Sequence, residues 1–275
     1  MLRFSLKDGR HIAWRVSGKA DGFPVFFAHG NLNSRLFLPA WDKTQEQTAA
    51  ANARVISVDR PGYGGSNKHE GRTYSDFAAD IIQLADHLEL KKFGVVGYSS
   101  GGPHACAVAA LAGVERCTVV GLISADAPYA DPAVGLSLTR MYGASEVTLD
   151  YALEKAEDKA AEMREGYERM EKENRRIMAL ADLDAAVARG FHGAASDAVL
   201  ESSQSWGFEL ESLRGSGASV LLWHGVDDED VPLPAGQYLA EKTGGRLTEL
   251  SGENHTLIRR HWQQILERVV EVGGR

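Results

Sequence analysis

Cysteine is nearly absent: the 275 residues hold only Cys106 and Cys117. Neither sits in a CxxC pair or at Cys/His zinc-finger spacing, so a disulfide framework and a structural zinc are excluded, and both thiols are expected reduced and buried. No run approaches the roughly 20 apolar residues of a membrane span. The charged N-terminus, Met1 to Arg10, has no room for the apolar stretch of a secretion signal, which makes the cytoplasm the expected location and a membrane no expected partner. Positive charge is also in deficit, with 30 Lys+Arg against 38 Asp+Glu and a net charge of -8. Without a basic stripe interleaved with aromatics, nucleic acid is not an expected partner either. Internal repeats and low-complexity tracts are missing too. What remains is ordinary for a folded chain, 44% hydrophobic and 25% charged, and long enough for one large α/β domain with an insertion or for two small domains.

The first half alternates short β-rich runs with helical ones, the signature of a mostly parallel sheet flanked by helices. Leu2 to Leu6 and His11 to Val16 flank an Asp8-Gly9 turn and predict an opening hairpin. Buried-type strands follow in "PVFFAHG", "RVISVDRPG", "FGVVGYS", "CTVVGLIS" and "SVLLWHG", with a last strand at Arg246 to Leu250. Helical patterns occupy Tyr74 to Leu88, Gly102 to Leu111, Pro234 to Lys242 and Leu257 to Val270. From Tyr129 to Leu213 strand-like runs vanish. There Leu149, Leu153, Ala156, Ala160, Met163, Tyr167, Met170 and Ile177 recur at alternating three and four spacing. This predicts one amphipathic helix, or two broken at Gly166, lying on the domain beneath rather than a dimerising coiled coil. The division expected is a core of residues 1–128 and 214–275 and a helical cap of residues 129–213.

"VVGYSSGGPH" fits G-x-S-x-G at Gly97, Ser99 and Gly101, between an apolar strand and a small-residue helix. A serine on a sharp strand-to-helix turn needs small neighbours, because the backbones crowd there. Neither phosphate-binding glycine pattern can be written over these residues, so a structural Gly-rich turn is the remaining alternative. A serine hydroxyl attacks only when a base takes its proton and a carboxylate orients that base. The chain offers both, in the order Ser, Asp, His. "WHGVDDEDVP" places Asp228 after a strand, with Asp227 and Asp230 beside it and Asp126 of "SADAP" as the second-choice acid. "SGENHTLIRR" places His255 in a loop after the last strand. His87, His104, His192 and His261 are read as packing or surface residues, and no histidine pair has metal-ligand spacing. After "FFAHGNLNSR" turns over the sheet edge, the backbone N–H groups of Asn31 and Ser100 are the natural pair to bind an oxyanion, with His29 organising the loop.

Five motifs in order now carry a likeness: "HGN" (29–31), "DRPGYGGS" (59–66), "GYSSGG" (97–102), "GVDDEDVP" (225–232) and "NH" (254–255). Together they resemble the α/β-hydrolase superfamily across nearly the whole chain. The resemblance implies an α/β fold with an eight-stranded, mostly parallel sheet and a helical cap inserted after the sixth strand. It implies Ser99, Asp228 and His255 as the triad, Asn31 and Ser100 as the oxyanion hole, and an architectural role for Asp59 and Arg60. The serine departs from the aspartate of haloalkane dehalogenases and epoxide hydrolases, and "GYSSGG" departs from the "GGSWG" of proline iminopeptidases. Asn254 stands where glycine is common.

The expected activity is hydrolysis of a small or medium carboxylic ester, a small-molecule substrate, through an acyl-enzyme, with no cofactor and no metal. Amide, thioester or carbon–carbon hydrolysis by the same triad, and a non-turnover receptor on the same scaffold, are the alternatives. Trp206 and Phe208 of "SWGF" either line the substrate pocket or anchor the cap's return by core packing. The oligomeric state stays open, a homodimer included.

Overall fold

The computed structural model describes residues 1–38, 44–203 and 205–275. Eight strands form one sheet in the order β1-β2-β4-β3-β5-β6-β7-β8. Strand β1 (Leu2–Ser5) and β2 (His11–Gly18) are the hairpin, turned at Gly9 with φ 84°. Only β2 runs antiparallel to its neighbours, β1 and β4 (Ala53–Val58). Strands β3 (Phe23–Ala28), β5 (Phe93–Tyr98), β6 (Cys117–Ile123), β7 (Ser219–Gly225) and β8 (Arg246–Leu250) run parallel beside β4.

The unbroken apolar runs have a direct cause. Along β3, Phe26 and Ala28 point into one core while Val25 and Phe27 point into the other. Helices α2 (Tyr74–His87), α3 (Gly101–Ala112) and α8 (Leu233–Thr243) cover the first face. Helices α1 (Thr44–Ala50) and α9 (Ile258–Gly273) cover the second, where Trp262 is fully buried. A strand covered on both sides has no polar face to alternate with. Helix α2 starts at a capping box in which Thr73 and Asp76 satisfy each other's backbone N–H groups. Cys106 and Cys117 are free and buried, and burial pushes both thiols up to about 12.

Between β6 and β7 the described chain is helical: α4 (Leu138–Tyr142), α5 (Leu149–Glu168), α6 (Glu173–Ala186) and α7 (His192–Glu201), with short 3-10 turns at each end. The amphipathic stretch is two helices, but the break falls after Glu168 rather than at Gly166. Gly166 faces open space, so it costs the helix only its propensity, on the order of 1 kcal/mol. The reversal is set by packing, because Ala156 and Ala160 of α5 are buried against Leu183 and Ala186 of α6. Ile177 consequently leaves the stripe and is 53% exposed. Among the described residues no helix is long and apolar enough to cross a membrane.

Buried charge fastens these helices to the sheet domain. Asp197 of α7 pairs with Arg60 at 2.8 Å, with Arg72, and accepts from Tyr63. Burial works to raise the Asp197 pKa, but the two guanidinium charges outweigh it and hold the carboxyl below its ordinary value. Asp182 of α6 accepts from the Ser34 N–H at 2.9 Å, the Ser34 hydroxyl at 2.6 Å and Asn33 Nδ2 at 3.1 Å. Asp59 and Arg60 are therefore architectural: Asp59 binds Arg35 and the Gly65 N–H, and Arg60 reaches Asp197. Removing one partner of such a buried cluster strands the others, at about 3–5 kcal/mol. Asp197→Ala is expected to lower the unfolding free energy by about that much in urea titration with an unchanged slope; a loss under about 1 kcal/mol contradicts the assignment.

Candidate active site

Strand β5 delivers Ser99 into a left-handed backbone, φ 53°, which a non-glycine residue adopts only under constraint. Its N–H donates to the Ile123 carbonyl at 3.0 Å, and its carbonyl accepts from Gly102 at 2.8 Å. The flanking glycines have a steric origin. A Cβ on Gly97 would lie 2.3 Å from the Gly101 oxygen, and one on Gly101 would lie 2.1 Å from the Ala28 oxygen. Helix α3 leaves at once, and Ser100 is its N-cap residue.

Strands β7 and β8 end at the same carboxyl edge. His255 Nε2 lies 3.1 Å from Ser99 Oγ, and its Nδ1 lies 2.9 Å from Asp228 Oδ2. The second Asp228 oxygen accepts the Val231 N–H at 2.9 Å, so the loop's own backbone sets the carboxylate's aim. Asp228 is buried, whereas Asp227 and Asp230 are exposed. His224, unnoticed in the sequence, holds the base of this loop through a 2.7 Å contact from Nε2 to the Val231 carbonyl. Tyr98 donates to the His255 carbonyl at 3.2 Å. Asn254 caps the short turn that carries His255 by accepting from the Thr256 N–H at 3.0 Å, a task glycine could not perform.

Burial lowers the His255 pKa, but the hydrogen bond and charge of Asp228 outweigh it, and the imidazole ends above its ordinary 6.5. Asp228 moves the opposite way, for burial raises it and the His255 contact then carries it below 3.8. Asp228, Asp230 and His255 bring ligand-type atoms within 4.8 Å of one another. Both His255 nitrogens already face Asp228 and Ser99, so a metal there would have to break that chain of contacts.

The loop after β3 lies against the Ser99 turn: a Cβ on Gly30 would sit 3.2 Å from Ser99 Cβ. His29 is fully buried, its Nε2 accepts the Arg60 N–H at 3.2 Å and its Nδ1 donates to the Gly30 carbonyl at 2.8 Å. Burial and the Arg60 charge push its pKa well down, so it is a neutral organiser of the loop. The Asn31 and Ser100 N–H groups have no acceptor among the described residues.

Above Ser99 is a pocket of about 800 Å³ between the sheet edge and the helices of the insertion. Trp206 and Phe208 do not line it. Their rings pack on Tyr74, at 5.4 and 6.5 Å, inside the core beneath α2, so the core-packing alternative is the one the structure places. Four further histidines lie away from Ser99 Oγ: His87 stacks on Phe4, His104 is buried beside Arg60 and Arg72, His192 meets Ser196 and His261 meets Glu253. Asp126 stands 3.5 Å from Ser99 Oγ but bonds Tyr129 rather than His255. Glu201 also lines the pocket and is a residue sequence reasoning missed. Its one signal is that Asp197 and Glu201 lie four apart among alanines on α7, two acids on the face that turns inward.

If the imidazole is held as this geometry indicates, NMR titration of His255 in Ser99→Ala protein has its midpoint above 6.5, and adding Asp228→Asn moves it down. A midpoint that ignores Asp228→Asn contradicts the contact.

A profile of the Alpha/beta hydrolase family matches residues 25–268. A non-heme chloroperoxidase from Streptomyces lividans is 33% identical over 122 residues, 44% of this chain and 43% of the relative. A proline iminopeptidase from Arabidopsis thaliana is 32% identical over 112 residues, 37% of this chain and 27% of the relative. The chain thus matches less than half the length of these curated relatives. An esterase from Exiguobacterium antarcticum superposes with a TM-score of 0.74 at 22% identity, covering 99% of both chains. A bromoperoxidase from Bacillus anthracis does so with a TM-score of 0.73 at 23% identity, covering 97% of this chain and 96% of the other.

Proposed function

This chain belongs to the alpha/beta hydrolase family, and from that premise we propose that it is a serine esterase acting on small or medium carboxylic esters. The observation that carries the reading is the continuous contact chain Ser99–His255–Asp228, at 3.1 and 2.9 Å, on a backbone that exposes Ser99. In this reading residues 129–213 are the cap that closes over the pocket.

Ser99 Oγ adds to the ester carbonyl as His255 Nε2 takes the hydroxyl proton, and Asp228 stabilises the imidazolium that results. The tetrahedral oxygen gains its negative charge facing the Asn31 and Ser100 N–H groups, where one donor is worth roughly 3–4 kcal/mol. The N-terminus of α3 adds its dipole at the same point. Collapse expels the alcohol, which takes the proton from His255. Water then adds to the acyl-enzyme with His255 again as base, and the carboxylic acid leaves.

A second reading is favoured by the chloroperoxidase relative. Hydrogen peroxide in place of water would take the acyl group from Ser99 to give a peroxycarboxylic acid. That product oxidises a halide to hypohalite and returns the carboxylic acid, so no further group is needed.

A fluorophosphonate probe is expected to label Ser99 in the folded protein. Ser99→Ala should lose labelling and lower p-nitrophenyl ester turnover by about 10⁶-fold. Because only neutral His255 can accept a proton, kcat/KM should rise with pH through a midpoint above 6.5, the direction in which Asp228 moves that pKa. An unlabelled folded protein, with Ser99→Ala as active as the parent, removes the esterase reading. Halide oxidation dependent on peroxide, acetate and Ser99 would select the second reading.

A further inference from the structure

Nearly every buried acid in the described residues has a cation or a full set of donors. Asp59 has Arg35, Asp80 has Arg10, Asp197 has Arg60 and Arg72, Asp228 has His255, and Asp182 has the donors of Ser34 and Asn33. Asp126 and Glu201 differ. They are 6% and 3% exposed, both line the pocket over Ser99, and neither has an ion pair among the described residues. Their hydrogen-bond partners are hydroxyls: Tyr129 donates to Asp126 Oδ1 at 2.5 Å, Ser99 lies 3.5 Å from Asp126 Oδ2, and Tyr142 donates to Glu201 Oε2 at 2.8 Å. Glu201 Oε1 is buried without any hydrogen-bond partner.

We propose that Asp126 and Glu201 form a cation subsite beside the nucleophile, and that the preferred acyl group carries a protonated amine. The inference rests on the serine-esterase reading and names the substrate class of that site. Reach sets where the amine lies. Asp126 Oδ2 is one hydrogen bond from Ser99 Oγ, and an ammonium bonds a carboxylate at about 2.8 Å, which places the nitrogen about one or two carbons from the carbonyl. A neutral hydroxyl would satisfy Glu201 Oε1 but leave the buried negative charge unbalanced. An ammonium does both. The cations that line this pocket, Lys155, Lys159 and Arg259, make no ion pair with either acid among the described residues.

The titration of the pair agrees with this geometry. Burial, then the charges of Asp126 and Asp197, push the Glu201 carboxyl well up, against the opposing bond from Tyr142. Burial raises Asp126 as well, against Tyr129 and the charge of His255. Tyr74 on α2 faces the same acids as a neutral phenol. Burial thus favours the protonated forms of the empty pair and an entering ammonium favours the charged ones, so selectivity for the amine is expected to grow with pH until the amine itself deprotonates.

Matched 2-naphthyl esters test this: alanine against isobutyrate, and β-alanine against butyrate, each pair differing by an ammonium in place of a methyl. In the parent protein the aminoacyl ester of at least one pair is expected to have the higher kcat/KM, by about tenfold or more. That ratio, in which His255 protonation cancels, should climb from about pH 5 to about pH 7. Glu201→Gln and Asp126→Asn should each lower it by about tenfold. A parent ratio at or below one in both pairs overturns the proposal without needing any variant to fold, and so does a ratio unchanged in both folded variants. Turnover of the alkyl esters reports separately on the esterase reading. If neither ester type is turned over, calorimetry with n-propylammonium decides: saturable binding lost in Glu201→Gln keeps the subsite, and no binding removes it.

Discussion

The left-handed backbone of Ser99 is the constraint around which the site is built. A non-glycine residue held there costs about 1–3 kcal/mol and persists only where its surroundings over-determine it. Here the surroundings are three backbone hydrogen bonds and neighbours so close that Gly97 and Gly101 admit no Cβ. The sharp turn lifts the hydroxyl out of the sheet edge toward His255 and starts α3 immediately afterwards, so the Ser100 N–H points where the helix has no acceptor for it. One backbone conformation thus aims the hydroxyl and a donor together. A glycine at position 99 would relax the turn and remove the hydroxyl, and a larger residue at 97 or 101 would open it.

The helices between β6 and β7 are attached by a different kind of force. Their apolar contacts with the sheet domain are modest, with small clusters built on alanines and with Tyr63 and Leu32 from below. Buried carboxylates supply the register. Asp197 binds two arginines that flank the Asp59–Ser66 turn and the start of α2, and Asp182 binds the loop that follows β3. Apolar contact alone tolerates sliding, whereas a desolvated carboxylate tolerates no loss of its partners. Since the Asn31 loop and α7 are both held in this way, the pocket's roof and the donors at its floor are fixed relative to each other. Asn31 Nδ2 itself donates to the Ala194 carbonyl at 3.2 Å, a direct tie between the two.

Much of this was legible in the chain. Parallel strands covered on both faces betray themselves as unbroken apolar runs, and the glycines about Ser99 are required by local crowding. The Asp228 and His255 loops follow strands whose ends converge on one edge. Local reasoning failed where the decisive partner is distant. The end of α5 was misplaced at Gly166, since what turns the chain is the packing of Ala160 on Leu183 and Ala186, and nothing in the sequence of α5 announces it. Helix α1 carries too little apolar pattern for its seven residues to stand out. Apart from its spacing from Asp197, nothing local sets Glu201 apart in a charged segment; only the fold turns it inward.

Three buried carboxyl groups, Asp126, Asp228 and Glu201, stand about the Ser99 turn and its pocket, and their unequal partners give them unequal parts. Asp228 receives a backbone N–H and faces His255 Nδ1, so it ionises and orients. Asp126 is as close to the nucleophile as a hydrogen bond allows, yet its other oxygen is taken by Tyr129 and its burial favours the neutral form. Were Asp126 fully charged with no cation beside it, it would repel the oxyanion proposed to develop on the ester carbonyl. The Tyr129 and Tyr142 hydroxyls soften that conflict without removing it, because a phenol donates a hydrogen bond but carries no charge. A site whose two inner acids make no ion pair among the described residues suits, in the reading proposed, a cationic acyl group better than a free carboxylate. The same charge balance therefore acts at both ends of turnover, on what enters as an ester and on what leaves as an acid.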